Sequence, residues 1–580
     1  MTIYLKMLQL YHLAMFIVSK FAIYIISLLT INKVIPLKPN GGKMKHKIKR
    51  EDLLFLAIFL LILIVQLYKA KISIGSRDEH YYITVGYRFF QGCSYFEEEW
   101  GIAQMIGFFL SPLVALYRTI FGGNKGIVLG FRYYYVIFTM FIGICIYFRF
   151  KNQYGVYAIF ASSIYMLFTP FNIMALSYNT MSVGFLLLSL LIYRKNKIIR
   201  IIIAGILYGF SCINTPYLAM LYLAIIIIFI KKHISKRELF SISFGISIAA
   251  FLFLFTVFSK TTITSVLANL KHLISPSYSF NILYLIAYRG YMLIDSLNIV
   301  FFLLIFEMGY AIKNKTKENT HIIVFSVIIT IFSIIYLGFI NPSDISIGGH
   351  VLVLVPFTVL GIIIILLHNV DNYIKIIFFV SLFHSFFIAI SSDVGPRSFC
   401  APLITACCIT VLLLKNISDK KYIYSLCFCL IITLGFYKIT NVYKLENIYG
   451  VEDSQTVLID RGPLKGLYTN EIYKKFYDYS LDDINYINTL SGDYLISISH
   501  STWEYLATEK KCGTSSTYIY FWNRESYEQD FQEYQTMHDD IDSWIYLCND
   551  APFGINKDSS WIKQFTAIKQ LKNGYLLKIK

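Results

Sequence analysis

Apolar stretches recur along the first three quarters of the chain, and short polar connections separate them. A backbone in hydrocarbon must satisfy its own hydrogen bonds, so stretches of about 20 apolar residues predict transmembrane helices. They cover approximately residues 52–69, 128–149, 155–169, 177–193, 199–213, 216–230, 239–258, 288–311, 321–340, 350–367, 374–390, 399–414 and 421–439. The pattern predicts a polytopic α-helical membrane domain over residues 44–440, with about thirteen transmembrane helices.

The pattern changes at about residue 441, where short alternating stretches replace the long apolar ones. Predicted strands cover 456–460, 493–499, 544–548 and 575–579, and predicted helices cover 470–488, 526–538 and 559–570. Cys512 and Cys548 both lie in this region, and the sequence leaves open whether they form a disulfide. We therefore expect residues 441–580 to form a separate, soluble α/β domain.

The first 43 residues contain a further hydrophobic segment, 8–31, which carries His12 and Lys20. Three interpretations stay open for residues 1–43: an additional span, an uncleaved signal-like segment, or an extension that precedes the true start at Met44.

Composition and charge agree with a membrane location. The chain is 56% hydrophobic and 15% charged, with a mean hydropathy of +0.59, which excludes an ordinary soluble protein. The net charge of +17 does not indicate nucleic-acid binding, because most basic residues lie between the apolar stretches. Their clusters, which the positive-inside rule assigns to the cytoplasm, lie at 43–50, 194–200, 231–237, 313–317 and 415–421. Residue 44 is then cytoplasmic, and the C-terminal domain is extracytoplasmic.

Five acidic residues are concentrated in the first outside loop, residues 70–127. They are Asp78, Glu79, Glu97, Glu98 and Glu99. A carboxylate next to a membrane is costly unless it has a role or a partner, although a solvated acidic face is the alternative. The stretch 100–120 in the same loop is apolar with interspersed polar residues, which favours an amphipathic helix at the interface. This loop is the best candidate for a functional site.

The order of motifs in this loop resembles that of the integral-membrane GT-C glycosyltransferases. That class includes the protein O-mannosyltransferases and the lipid A aminoarabinose transferases. The resemblance rests on RDEHYY at 77–82, YFE at 95–97, the interfacial stretch 100–120 and Arg132 in the following span. The chain departs from the aminoarabinose transferases after YFE, where Glu98, Glu99 and Trp100 replace a basic residue and prolines.

The resemblance implies a site for inverting sugar transfer. Asp78 would be the catalytic base that activates an acceptor hydroxyl for attack on C1 of the sugar. Glu79, also assigned to the catalytic site, or Glu97 would hold sugar hydroxyls or a cation. Further substrate-binding positions, several of them cationic partners for a phosphate leaving group, are Tyr82, Arg77, Arg132, His350 and Arg397.

The sequence therefore predicts a membrane glycosyltransferase that moves a sugar from a polyprenyl-phosphate donor to a glycan, lipid or protein acceptor of the cell envelope. Membrane lipid and the lipid-linked donor are its expected partners, and no nucleic acid is expected. No cofactor is certain, and a divalent metal stays open. The alternatives are a transporter or lipid flippase, and a noncatalytic protein of envelope assembly.

Overall fold

The computed structural model describes residues 50–75, 77–230, 234–273, 282–314, 320–337, 352–391, 396–417, 420–443, 455–518, 524–538 and 542–579. Residues 1–43 and His350, which carry predictions, lie outside these ranges. The described part of the C-terminal region, 455–579, is called the tail below.

The described residues are mostly helical. The α-helices are α1 Arg50–Lys69, α2 Arg77–Phe90, α3 Gly107–Phe121, α4 Ile127–Tyr154, α5 Val156–Leu167, α6 Tyr178–Ile192, α7 Ile198–Asn214, α8 Leu221–Ile230, α9 Lys236–Phe258, α10 Ile263–Asn269, α11 Ile282–Leu297, α12 Ile299–Lys313, α13 Thr320–Ile335, α14 Leu354–Leu367, α15 Asn372–Ser391, α16 Pro396–Leu413, α17 Lys420–Thr440, α18 Glu471–Asn488 and α19 Arg524–Met537.

Six helical segments among the described residues are long and apolar enough to cross a membrane, or seven if one bent pair is counted as a single span. One of the six, Ala103–Phe121, is the stretch that the sequence predicted to lie at the interface, so its length and composition also suit a span. Shorter apolar helices occupy most of the other predicted stretches, and α4 runs through the middle of the bundle with most of its residues buried. On the surface of α9, Phe240, Phe251 and Phe255 point outward with 67–73% of each residue exposed. The bundle therefore carries a strongly apolar outer surface.

The stretch 288–311, predicted as one span, is not one continuous helix. Two helices, α11 and α12, occupy this stretch and meet at an angle of 100°. The break falls at Asn298, whose φ of 52° interrupts the helical backbone. Asparagine is among the residues that adopt positive φ most readily, so the sequence allows a sharp bend at this point.

The tail contains a five-stranded sheet. Its strands are β3 Tyr494–Ile498, β4 Lys511–Cys512, β5 Ser543–Cys548, β6 Thr566–Gln570 and β7 Gly574–Lys578, and a separate pair is formed by β1 Val457–Leu458 and β2 Tyr468–Thr469. The strand order is β4-β3-β5-β7-β6, with β3 parallel to β4 and β5, and β7 antiparallel to β5 and β6. The predicted α/β character is thus present in the structure.

One detail of the tail prediction is wrong, and the question of a disulfide, which the sequence left open, is answered. The stretch predicted as a helix at 559–570 ends in strand β6, whose side chains are exposed at the edge of the sheet. Cys512 and Cys548 are free thiols. They lie on β4 and β5 with β3 between them, which separates them by about two strand spacings of 4.8 Å and exceeds the reach of a disulfide.

The tail is packed against the helix bundle. It has apolar clusters of its own, but Tyr477, Leu481 and Trp503 belong to the same continuous core as the bundle helices. Backbone hydrogen bonds also join the two parts, since Tyr468 N–H donates to Lys71 O and Ser73 N–H donates to Tyr468 O, both at 2.8 Å. One end of the bundle carries both residues 70–127 and the tail. We call this end the tail face.

Candidate functional site on the tail face

Helix α2 carries the predicted acidic pair and lies between the bundle and the tail. Asp78 and Glu79 occupy its first turn, where carboxylates interact favourably with the helix dipole. Most of its residues are buried, because one side packs on α3 and another on the tail. At Gly86 a Cβ atom would lie 2.7 Å from the Cβ of Leu110, so this glycine allows α2 and α3 to approach closely.

Glu79 and Arg132 form a buried ion pair. Nε and Nη2 of Arg132 donate to the two carboxylate oxygens of Glu79 at 2.7 and 2.8 Å, and both side chains are at most 1% exposed. The Tyr443 hydroxyl donates to the same carboxylate at 2.9 Å. Gly75 makes room for this arrangement, since a Cβ atom there would lie 1.6 Å from Oε2 of Glu79.

The remaining nitrogen of Arg132 binds the chain that leads into α2. Its Nη1 donates to the carbonyl oxygens of Ala70 and Ser73 at 2.9 and 3.0 Å. The guanidinium also lies 3.8 Å from the ring centroid of Tyr443. Arg132 and Glu79 therefore fix the start of α2 relative to α4 and the end of α17.

Asp78 points toward the tail. The Tyr518 hydroxyl, from the segment after β4, donates a hydrogen bond of 2.8 Å to Oδ1 of Asp78. Tyr82, one turn further along α2, is buried and its ring packs edge-on against that of Tyr178. Arg77, Asp78, Tyr82 and Tyr518 thus come together, and one of them belongs to the tail.

The environment of Asp78 changes its acidity. Removal from water raises the pKa of the Asp78 carboxyl above its usual value, while the Tyr518 hydrogen bond and the charge of Arg77 act in the opposite direction. A carboxylate with a raised pKa is a stronger base than a solvated one. Proton acceptors in enzyme sites are adjusted in this way.

Two histidines lie next to this group. Nδ1 of His80 lies 3.2 Å from the Ser501 hydroxyl of the tail. Burial lowers the pKa of His80 to about 4, and burial together with the Arg77 charge lowers the pKa of His500 to about 4. Both imidazoles are therefore neutral at pH 7.

The tail adds a cluster of polar side chains at the carboxyl ends of β3 and β5. The Ser499 hydroxyl donates to Glu504 at 2.8 Å and lies 3.3 Å from Asp550. Burial raises the pKa of Glu504 to about 8, and the nearby charge of Asp550 adds to this shift. Carboxyl ends of parallel strands are common ligand-binding positions in α/β folds.

A second buried ion pair joins the loop to the tail. Arg88 donates to Glu99 at 2.9 Å, and the two side chains are 5% and 0% exposed. Arg88 also donates to Thr514 O at 2.6 Å, and Trp100 N–H donates to Ser515 O at 2.8 Å. Glu99, one of the five loop acids, is therefore engaged in docking the tail.

The remaining predicted positions are distributed as follows. Glu97 is half-buried, and its backbone carbonyl accepts from the Trp100 indole at 2.9 Å. Arg397 is the second residue of α16, and His350 lies outside the described residues. The structure thus unites Arg77, Asp78 and Tyr82 in one group and Glu79 with Arg132 in another.

Sequence reasoning missed the contribution of the tail. Tyr518, Ser501 and His500 are more than 400 residues away from α2 in the chain, and the tail was expected to be a separate unit. A run of small hydroxyl residues at 514–517, just before Tyr518, is the one local signal that could have drawn attention to this segment. Within the residues that the structure describes, no group of three or more His, Cys, Asp or Glu side chains is arranged to hold a metal ion.

Comparisons with known proteins do not assign the chain to a class. No protein-family model matches it, and no curated protein is similar enough to count as a relative. Its function must therefore be argued from the site.

Proposed function

We propose that this chain is a membrane glycosyltransferase that transfers a sugar from a polyprenyl-phosphate donor to a cell-envelope acceptor, with inversion at C1 and with Asp78 as the general base. The observation that carries the proposal is the environment of Asp78. Its carboxyl has a raised pKa, lies beside the Arg77 guanidinium and sits at the tail face of a bundle whose apolar helices suit a membrane.

The chemistry requires one proton transfer and one displacement. Asp78 takes the proton from the acceptor hydroxyl, and the acceptor oxygen then attacks C1 of the sugar. The bond between C1 and the phosphate oxygen breaks, and its electron pair leaves with the polyprenyl phosphate. Positive charge near the leaving phosphate favours this step, and Arg77 is the cation next to Asp78.

Tyr518 marks the position of the acceptor in this proposal. Its hydroxyl donates to Asp78 in the geometry that an acceptor hydroxyl needs, at a distance of 2.8 Å. An acceptor sugar that enters the site therefore replaces the Tyr518 hydroxyl. The tail would then contribute directly to acceptor binding.

Glu79 and Arg132 receive a different role from the one that the family resemblance implies. Each is the main partner of the other, and both are buried, so neither side chain is available to hold a sugar hydroxyl or a phosphate. We propose that they are positioning residues that hold α2, and with it Asp78, in place. Tyr82 and Glu97 remain proposed contacts of the sugar, and Arg397 and His350 remain proposed contacts of the phosphate.

An open groove near the tail face fits an extended acceptor. It has a volume of about 490 Å³ and lies between the turn at Asn124 and Lys125, the loop 461–463 and helix α18. Exposed Asn485 and Lys125 contribute polar groups to its wall. Apolar side chains such as Leu481 and Leu506 also line it, and a wall that mixes polar and apolar groups suits a glycan, whose rings present both hydroxyls and apolar faces.

A transporter is the second candidate, because of the bent pair of α11 and α12. Glu307 on α12 is fully buried, and a carboxyl at membrane depth is a typical feature of transport sites. Within the described ranges one such bent pair is present, whereas paired broken helices in two related halves are typical of transporters. Accumulation of labelled solute in proteoliposomes without any transfer product would favour this candidate.

The proposed function is tested with purified protein in lipid nanodiscs. Polyprenyl-phosphate donors with different labelled sugars are incubated with envelope glycan, and both the labelled product and the released polyprenyl phosphate are quantified. We expect equal amounts of the two products, with an inverted anomeric bond. Asp493→Asn, which changes an exposed tail carboxylate, is the matched control and should retain full activity. Failure to transfer any sugar from a broad donor panel would contradict the proposal.

A further inference from the structure

Three cationic side chains are buried together at the tail-face ends of three helices. Lys69 ends α1, Arg132 lies near the start of α4, and Lys438 lies two residues before the end of α17, with 7%, 0% and 1% of these residues exposed. Arg132 has its carboxylate partner in Glu79. The two lysines bind neutral groups instead, since Lys69 donates to Ile439 O at 2.8 Å and Lys438 donates to the Thr169 hydroxyl.

This cluster has more positive than negative charge. Neither lysine forms an ion pair with a carboxylate in the part of the chain that the structure describes. A buried ammonium without a carboxylate partner is costly, because hydration is lost and only a helix-end carbonyl oxygen and a hydroxyl oxygen replace it here. The arrangement is the one expected of a site that receives an anion.

Unpaired polar groups lie on the segment that Lys438 contacts. Asn172 is three residues after Thr169, is 4% exposed, and has no hydrogen-bond partner for either side-chain polar atom. Asn179, also 4% exposed, has no partner for Oδ1. Buried polar atoms are nearly always hydrogen-bonded in proteins, so unpaired ones on a segment that a buried cation contacts mark a position able to bind a polar ligand.

The backbone of this segment is unusual as well. Phe171 and Asn172 have φ values of 56° and 57°, a left-handed conformation that side-chain-bearing residues rarely adopt twice in succession. Strained backbone of this kind is concentrated at ligand-binding positions. Tyr443 holds the segment against the end of α17, because its N–H donates to Asn172 O at 3.1 Å and its hydroxyl accepts from Met174 N–H at 2.8 Å.

A cavity of about 20 Å³ lies next to Asn179, and its wall also includes Tyr135 and Pro170, the neighbours of Lys438 and Thr169. The Lys438 ammonium lies 5.5 Å from the ring centroid of Tyr135, and Thr169 directly precedes Pro170. The cavity is large enough for one water molecule, so a phosphate group requires the surrounding side chains to move apart.

We propose that Lys438 and Lys69, with Thr169 and Asn172, form a binding site for the phosphate group of a polyprenyl-phosphate lipid. Helix ends at the tail face lie at headgroup depth if the apolar helices span a membrane, which is where a lipid phosphate lies. The site is joined to α2 through Tyr443, whose hydroxyl also bonds Glu79. The identity of the lipid rests on the proposed glycosyltransferase function, whereas the phosphate chemistry rests on the buried cations.

Binding is measured on the full chain in nanodiscs, with native mass spectrometry and thermal unfolding as readouts. The probes are polyprenyl monophosphate, the corresponding polyprenol and phosphatidylglycerol. We expect the wild type to bind polyprenyl monophosphate and not to bind polyprenol. Lys438→Met and Lys69→Met should each weaken phosphate binding about 10- to 100-fold, and Lys438→Arg should weaken it less. Lys71→Met, which changes an exposed lysine two residues from Lys69, should bind normally.

Thermal unfolding without ligand separates this proposal from a structural role. Removal of an uncompensated buried charge should leave ligand-free Lys438→Met at least as stable as the wild type. A lower unfolding temperature of the ligand-free variant, or unchanged phosphate binding, would overturn the site. Equal binding of phosphatidylglycerol would overturn the assignment to polyprenyl phosphate. Phosphate binding that depends on Lys438 in a protein without transfer activity would contradict the glycosyltransferase function and leave the site in place.

Discussion

Removal of the Arg132 side chain should destabilise the protein more than any other single change at the tail face. Two nitrogens of Arg132 bind Glu79 at 2.7 and 2.8 Å, and a third binds the carbonyls of Ala70 and Ser73. Both members of the ion pair are buried. Arg132→Met leaves Glu79 buried without its counter-ion, and breaking a buried pair in this way costs about 3–5 kcal/mol in the free energy of unfolding.

The assay is reversible denaturation of the purified protein in mixed micelles, arranged as a double-mutant cycle with Glu79→Gln. Because the two side chains contact each other directly, the double variant should be more stable than the sum of the single effects predicts. Arg118→Met is the control, since Arg118 pairs with Glu509, which is 73% exposed, and such pairs contribute about 1 kcal/mol or less. Wild-type stability of Arg132→Met, or additive single effects, would refute this reasoning.

Three further predictions concern the tail. Tyr518→Phe removes a hydrogen bond that lowers the pKa of Asp78 in the free enzyme, so the acid limb of the pH profile of kcat/KM for the acceptor should move to higher pH. Glu504 has a pKa of about 8 in the folded state, above that of an unfolded chain, so it holds a proton that the unfolded chain loses. The free energy of unfolding should therefore fall between about pH 4.5 and 8, by up to about 1.4 kcal/mol per pH unit, and Glu504→Gln should remove this dependence. Cys512 and Cys548 should both be alkylated in denaturant without a reductant, as shown by mass spectrometry.

Each of these predictions has a clear opposite result. An unchanged acid limb in Tyr518→Phe would mean that the hydroxyl does not influence Asp78. An identical pH dependence of stability in Glu504→Gln would remove Glu504 as its source. Alkylation of Cys512 and Cys548 that requires prior reduction would show a disulfide that the strand order excludes.

Much of the helical architecture follows from hydrophobicity alone. Apolar stretches predict helices reliably because the burial of apolar surface and internal hydrogen bonding point to the same structure. The break at Asn298 was not predicted, since asparagine occurs in intact helices as well and a continuous apolar stretch, 299–306, follows it. Strand β6 was missed because its edge position leaves its side chains in water, so the sequence has no apolar alternation there.

For the candidate site too, local features follow from the sequence and long-range contacts do not. The concentration of acids in loop 70–127 pointed to Asp78 as a candidate, and its approach to Tyr82 follows from helical spacing. The contacts of Asp78 with Tyr518, and of Lys438 with Thr169, join residues more than 250 positions apart. Nothing in local sequence specifies such contacts, because they depend on how the tail and α17 pack against the bundle.

The central claim is tested most directly by the rate of sugar transfer in Asp78→Asn. The substitution keeps the shape of the side chain and removes the basic carboxylate. At saturating donor, and with folding verified by thermal unfolding, we expect the rate to fall at least about 100-fold while binding of polyprenyl monophosphate is retained. A transfer rate equal to that of the wild type would contradict the assignment of Asp78 as the base, and with it the site proposed on the tail face.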